Sequence, residues 1–100
     1  MPLERIVSLS RFDRAFDKLP KDIKKRFEKQ LNHFIQDPFY PSLQTERIKG
    51  AVYASRVTDF YRFTWEFGDE KSTVILRNIG KHDPTLKDGW VSSIPLISDQ

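Results

Sequence analysis

RIKGAVYASRVTDFYRFTWEFGDEKSTVILRNIGKHDPTLK, residues 47–87, decides the fold of this chain. Three runs within it read as strands: residues 51–58, 60–67 and 72–79. The middle run has the clearest pattern. Tyr61, Phe63, Trp65 and Phe67 alternate with Phe60, Arg62, Thr64 and Glu66. Successive strand side chains take opposite faces, so one face is aromatic and the other carries a guanidinium. Thr58-Asp59 reads as the first turn and residues 68–71 as a hairpin turn. Arg56, Arg62, Arg77, Lys81 and His82 thereby fall within a short length of chain. Cations and an imidazole that titrates near neutral pH, gathered on one sheet surface, suit binding and cleavage of an RNA phosphodiester.

Towards the N-terminus the pattern becomes helical. Residues 3–9 read as a short strand, and Ser10 as an N-cap with Asp13 at the positive end of the helix that follows. Phe12, Ala15, Phe16 and Leu19 fall at helical spacing, which predicts a helix over residues 11–19. Pro20 suits the first turn of a second helix, predicted over residues 21–36. Ile23, Phe27, Leu31, Phe34 and Ile35 form its apolar stripe. Pro38 and Pro41 end it, and residues 43–49 read as an extended lead-in to the strands. The order is β-α-α-β-β-β, an α+β fold with a mostly antiparallel sheet packed against an N-terminal helix pair.

One hundred residues make a single domain spanning 1–100, and eight Phe, three Tyr and two Trp supply its core. Without cysteine there is no disulfide framework and no thiolate metal site. His33 and His82 lack the spacing of a zinc motif, so neither metal nor cofactor is expected. His33, beside the apolar stripe, reads as a helix-surface residue. The N-terminal segment lacks the apolar run of a signal peptide, and no segment reaches membrane-spanning length, which predicts a cytoplasmic protein. The formal net charge is only +3, but Lys18, Lys21, Lys24, Lys25, Arg26 and Lys29 cluster in and just before the second helix. Such asymmetry favours an anionic partner, nucleic acid or acidic protein.

Over residues 3–87 the chain resembles the RelE/ParE superfamily of bacterial toxins from toxin–antitoxin pairs. The resemblance rests on Phe12-x-x-Ala15-Phe16-x-x-Leu19-Pro20, on the basic helix ending at Asp37-Pro38, and on Leu43 followed by Ile48-Lys49-Gly50. It continues through Ser55-Arg56-Val57-Thr58-Asp59-Phe60-Tyr61-Arg62 and Ile79-Gly80-Lys81-His82-Asp83. Residues 88–100 form a tail outside it. The RelE and YoeB branches imply a ribosome-dependent mRNA endoribonuclease that inhibits translation. The expected partners are a cognate antitoxin, mRNA and the ribosome, with operator DNA reached only through the toxin–antitoxin complex. The ParE branch implies instead a gyrase inhibitor without nuclease activity. A degenerate toxin that only binds antitoxin is the third alternative.

Cleavage without a metal uses the 2′-hydroxyl as nucleophile. It needs a proton acceptor, cations for the developing phosphorane charge, and a donor for the leaving 5′-oxygen. Arg62 matches the family arginine after the turn and is the candidate for phosphate stabilisation, against the ordinary role of pairing Glu66 or Glu46. His82 is the candidate for proton transfer, or else a loop cap through Asp83. Arg56, Lys49 and Lys81 are candidates for positioning the RNA backbone, and Glu46 for accepting a proton. Strict alternation would turn Arg77 to the face of Ile75 and Ile79. Several relatives end the last motif with a base-stacking tyrosine. Here that region carries Leu86, and Trp90 is the nearby ring able to substitute.

Overall fold

The computed structural model describes residues 2–81. The expectations placed on His82, on Leu86 and on the tail from Trp90 onward concern positions outside the described residues. The elements are β1 (Arg5–Ser8), α1 (Ser10–Asp17), α2 (Lys21–Gln36), a 3-10 turn (Pro41–Leu43), β2 (Glu46–Lys49), β3 (Val52–Arg56), β4 (Tyr61–Phe67) and β5 (Thr73–Lys81). The strands form one sheet in the order β1-β5-β4-β3-β2. β1 runs parallel to β5, and the other neighbours are antiparallel. The predicted α+β architecture is the one observed.

Two local expectations change. The lead-in over residues 43–49 contains a strand, β2, which pairs with β3. Its sequence, ERIK, has no alternating apolar set, so only the ladder to β3 defines it. Ser10 is not an N-cap. Leu9 holds that position in extended conformation without a side-chain cap. Asp13 does lie in the first turn, but its carboxylate accepts a hydrogen bond from the Ser8 hydroxyl at 2.7 Å. Pro20 precedes α2 with φ −58°, and its carbonyl accepts from the Ile23 and Lys24 amides.

The helices cover the aromatic face of the sheet. Phe27 meets Phe63 edge to face at 5.2 Å, and Phe34 meets both Phe63 (5.3 Å) and Trp65 (5.0 Å). Leu3, Phe12, Leu43, Val57, Val74, Leu76 and Ile79 complete the buried cluster. From the predicted α2 stripe, Ile23 and Leu31 pack partly buried at its edge.

A buried polar relay crosses this core. The Trp65 indole N–H donates to Ser55 Oγ at 2.8 Å, and Ser55 lies 2.7 Å from Thr45 Oγ1. Thr45 donates its single proton to the Pro38 carbonyl at 2.7 Å, so Ser55 must be the donor to Thr45. This relay satisfies the indole and ties the segment after α2 to the sheet.

Candidate functional site

Cross-strand register defines what lies on the sheet face opposite the aromatic one, because directly paired residues share a face. On β4, Arg62 pairs with Arg56 of β3 and Gly80 of β5, and Thr64 pairs with Ala54 and Asn78. Phe63 pairs with Ser55 and Ile79 on the helix-covered side. The alternation read from residues 61–67 therefore holds, and Arg62 faces away from the helices.

Two bulges decide which other cations join it. Between Arg47 and Lys49 the β2–β3 register shifts, so Glu46 pairs with Ala54 and Lys49 with Val52. Both partners lie on the Arg62 face. Glu46 and Lys49 would oppose each other in a regular strand of this spacing; the bulge puts them together. The second shift lies opposite Thr64/Trp65, where Thr64 pairs with Asn78 but Trp65 with Leu76, leaving Arg77 as the extra residue. The expectation that Arg77 shares a face with Ile75 and Ile79 is corrected here. Ile79 faces the core beside Phe63, whereas Ile75 pairs with Glu66 on the other side. Arg77 makes a short ion pair with Glu66 and is itself nearly buried.

That pair removes one ordinary role for Arg62, since Glu66 is engaged by Arg77. Arg62 is half-buried, and its Nη1 is buried with no hydrogen-bond partner among the described residues. Burial lowers the proton affinity of its guanidinium. Glu46 opposes that shift, Arg56 reinforces it, and Asp59 opposes it. The group remains a cation at neutral pH all the same. Arg56 bonds Asp59 at 2.5 Å across the turn. Two arginines directly opposite on paired strands repel, and an unsatisfied buried donor adds a further cost. Such violations of local stability concentrate where a site is shaped for a ligand.

Lys81 stands apart from this group. It pairs with Tyr61, on the side of Phe63 and Ile79, and is exposed at the end of β5. The structure thus brings together Arg62, Arg56, Glu46 and Lys49 on one face and places Lys81 at the opposite one. His82 lies outside the described residues. Among those residues, no group of three or more His, Cys, Asp or Glu side chains is arranged to hold a metal ion. Nor is any helix long and apolar enough to cross a membrane.

Gly80, opposite Arg62, leaves space on this face among the described residues. A Cβ built there meets no heavy atom within 4 Å. We expect Gly80→Leu to fold with near wild-type stability, within about 0.5 kcal/mol by thermal melting. Its side chain would occupy the room beside Arg62 and weaken binding of a phosphate ligand at least about tenfold. Unchanged ligand affinity in this variant would mean that the notch is not used.

One cationic group escaped the sequence reading. Arg26, Lys29 and His33 lie on one face of α2 and line a cleft together with Ser42 and Arg56. Their i, i+3, i+7 spacing was legible, but the cleft also needs residues remote in sequence.

No protein-family model and no curated protein sequence matches the chain. Solved structures do. A YoeB/ParE toxin from Agrobacterium tumefaciens superposes with a TM-score of 0.68 at 13% identity, covering 80% of this chain and 100% of the other. RelE in the intact Escherichia coli RelBE toxin–antitoxin complex gives 0.64 at 19% identity, covering 83% of this chain and 99% of the other. RelE of the archaeal RelE–RelB complex from Pyrococcus horikoshii gives 0.63 at 18%, with coverage of 84% and 99%. The chain has the fold of the RelE/ParE/YoeB toxins, as its order of motifs predicts.

Proposed function

We propose that this protein is the toxin of a toxin–antitoxin pair. In this reading it is a cytoplasmic, metal-independent endoribonuclease that cuts mRNA on the translating ribosome. The observation that carries the reading is Arg62, a half-buried guanidinium whose Nη1 has no partner among the described residues, standing beside Arg56 of the neighbouring strand. A phosphodiester would satisfy that donor and relieve the repulsion between the two arginines.

The chemistry follows from the groups available. The 2′-hydroxyl of the substrate attacks the adjacent phosphorus, and the bond to the 5′-oxygen of the next nucleotide breaks. Arg62 stabilises the charge that develops on the phosphorane oxygens. His82 transfers a proton, with Glu46 as the candidate acceptor from the 2′-hydroxyl. Arg56 and Lys49 hold flanking phosphates on the same face.

Two of the structural relatives are RelE proteins in complex with RelB antitoxins, which supports a cognate antitoxin as partner here. Operator DNA would then be bound only by the toxin–antitoxin complex. The test is cell-free translation of a defined mRNA with and without the protein, with 5′ ends mapped by primer extension. We expect codon-phased cuts that require active translation. Intact mRNA and undiminished protein synthesis would overturn the reading in favour of gyrase inhibition or antitoxin binding alone.

A further inference from the structure

The cleft between α2 and the end of β3 has a volume of about 530 Å³ and lies open to solvent. Arg26 and Lys29 are exposed on its helical wall, and Arg56 closes the opposite side. Gln30 pins the two walls together. Its amide donates to the Arg56 carbonyl at 2.8 Å and to the Ser42 carbonyl at 3.2 Å, and its oxygen accepts from Ser42 Oγ at 3.2 Å. These bonds join α2, the 3-10 turn and β3, so the cleft is a fixed feature of the fold. His33 is stacked on Tyr40 with ring centroids 4.3 Å apart and planes 5° from parallel, and Tyr40 is 38% exposed.

Among the described residues no carboxylate lines this cleft, which argues against a cation as occupant. Val57 is the single apolar residue in the lining, so there is no socket for the hydrophobic anchors of a peptide. What remains is an anion site with an aromatic stack beside it. Arg26 to His33 spans roughly 10 Å along the helix, more than one phosphate can bridge. Arg56 lines this cleft and also stands opposite Arg62 at the end of β3, so the two sites adjoin at that residue. Cations tracking a backbone beside an aromatic platform are the elements of single-strand recognition.

We propose that this cleft is a second phosphate-binding subsite, holding single-stranded RNA that flanks the segment seated at Arg62. It rests on the function proposed above and extends it from one phosphate to a path along the strand. Arg26 and Lys29 contact successive phosphates, and a base extends the His33–Tyr40 stack.

The experiment is a fluorescence-anisotropy titration with a short 2′-O-methylated RNA, whose blocked 2′-oxygens prevent cleavage, across a salt series. The Arg26→Gln/Lys29→Gln double variant should bind at least about tenfold more weakly at low salt. Its salt slope should fall by roughly 1.4, since each phosphate contact on a single strand contributes about 0.7. Arg62→Ala should lower the slope by about 0.7 in an otherwise intact cleft. Both substituted α2 residues are exposed, so melting curves should match wild type. Wild-type affinity and slope in the double variant, with weakening in Arg62→Ala, would overturn the subsite and leave the proposed function standing. A wild-type protein that does not bind the RNA would overturn the subsite, whereas the proposed function stands or falls on the translation assay. A glutamate-rich peptide titrated in parallel covers the remaining case. Loss of peptide binding in the double variant, with RNA binding intact, would assign the cleft to a protein partner and overturn the proposal.

Discussion

Arg62→Ala is expected to slow mRNA cleavage on programmed ribosomes by roughly 10²–10³-fold, the usual effect of removing one preorganised donor from a developing anion. The same substitution should leave stability unchanged within about 0.5 kcal/mol, or raise it slightly. That second expectation separates a functional arginine from a structural one. Arg62 stands directly opposite Arg56, and its buried Nη1 has no partner among the described residues. Its removal therefore relieves repulsion and a desolvated donor, where loss of an ordinary ion pair would destabilise. Arg62→Lys should recover only part of the rate, because an ammonium is a point charge without the two-pronged geometry that matches phosphate. Single-turnover cleavage and thermal melting measured on the same samples decide the matter. A rate within about threefold of wild type would take Arg62 out of the chemistry. A large loss of stability would make it a structural residue instead.

The largest effect on stability belongs to Trp65. The residue is fully buried, stacked on Tyr53 at 4.7 Å and packed edge to face against Phe34 and Phe67 at 5.0 Å. Trp65→Ala should cost about 3–5 kcal/mol, the range for truncating a buried aromatic. For a domain of this size that is a large share of the whole, and the melting temperature should fall by more than about 10 °C. Packing is only part of the loss, since the variant also strips the relay of its indole donor to Ser55. Trp65→Phe separates the two contributions by keeping an aromatic ring and removing the N–H. It should cost about 1–3 kcal/mol. Urea denaturation of both variants gives the comparison. A loss below about 1 kcal/mol for Trp65→Ala would show that neither packing nor relay holds the sheet to the helices.

These two residues lie three apart on β4 and face opposite ways, so one short strand both anchors the core and presents the candidate site. A rigid strand fixed by Phe63 and Trp65 holds Arg62 in place without help from a loop. This is the arrangement that holds a guanidinium in position for a ligand.

Much of this was legible in the sequence. Alternation over residues 61–67 is a local property of an extended chain, so it placed Arg62 opposite Phe63 and Trp65 without knowledge of any partner strand. The spacing of Phe27 and Phe34 likewise follows from helical geometry and defined the face of α2 that packs on the sheet. The relative positions of distant groups were not legible. A bulge is a property of two strands in register, and nothing within residues 73–81 announces that Arg77 is the residue left over. For the same reason Glu46 and Lys49 came to one face, and Ile75 and Ile79 to opposite ones. Lys81, so close to Arg62 in the linear reading, lies across the sheet from it. The cleft needed the most, because Gln30 closes it with the backbone of Ser42 and of Arg56, 12 and 26 residues away. Sequence by itself determined which residues α2 and β4 turn inward, because in those unbroken elements that depends only on local backbone period. Tertiary structure alone decided which polar residues meet, because that depends on register and on contacts between segments far apart in the chain.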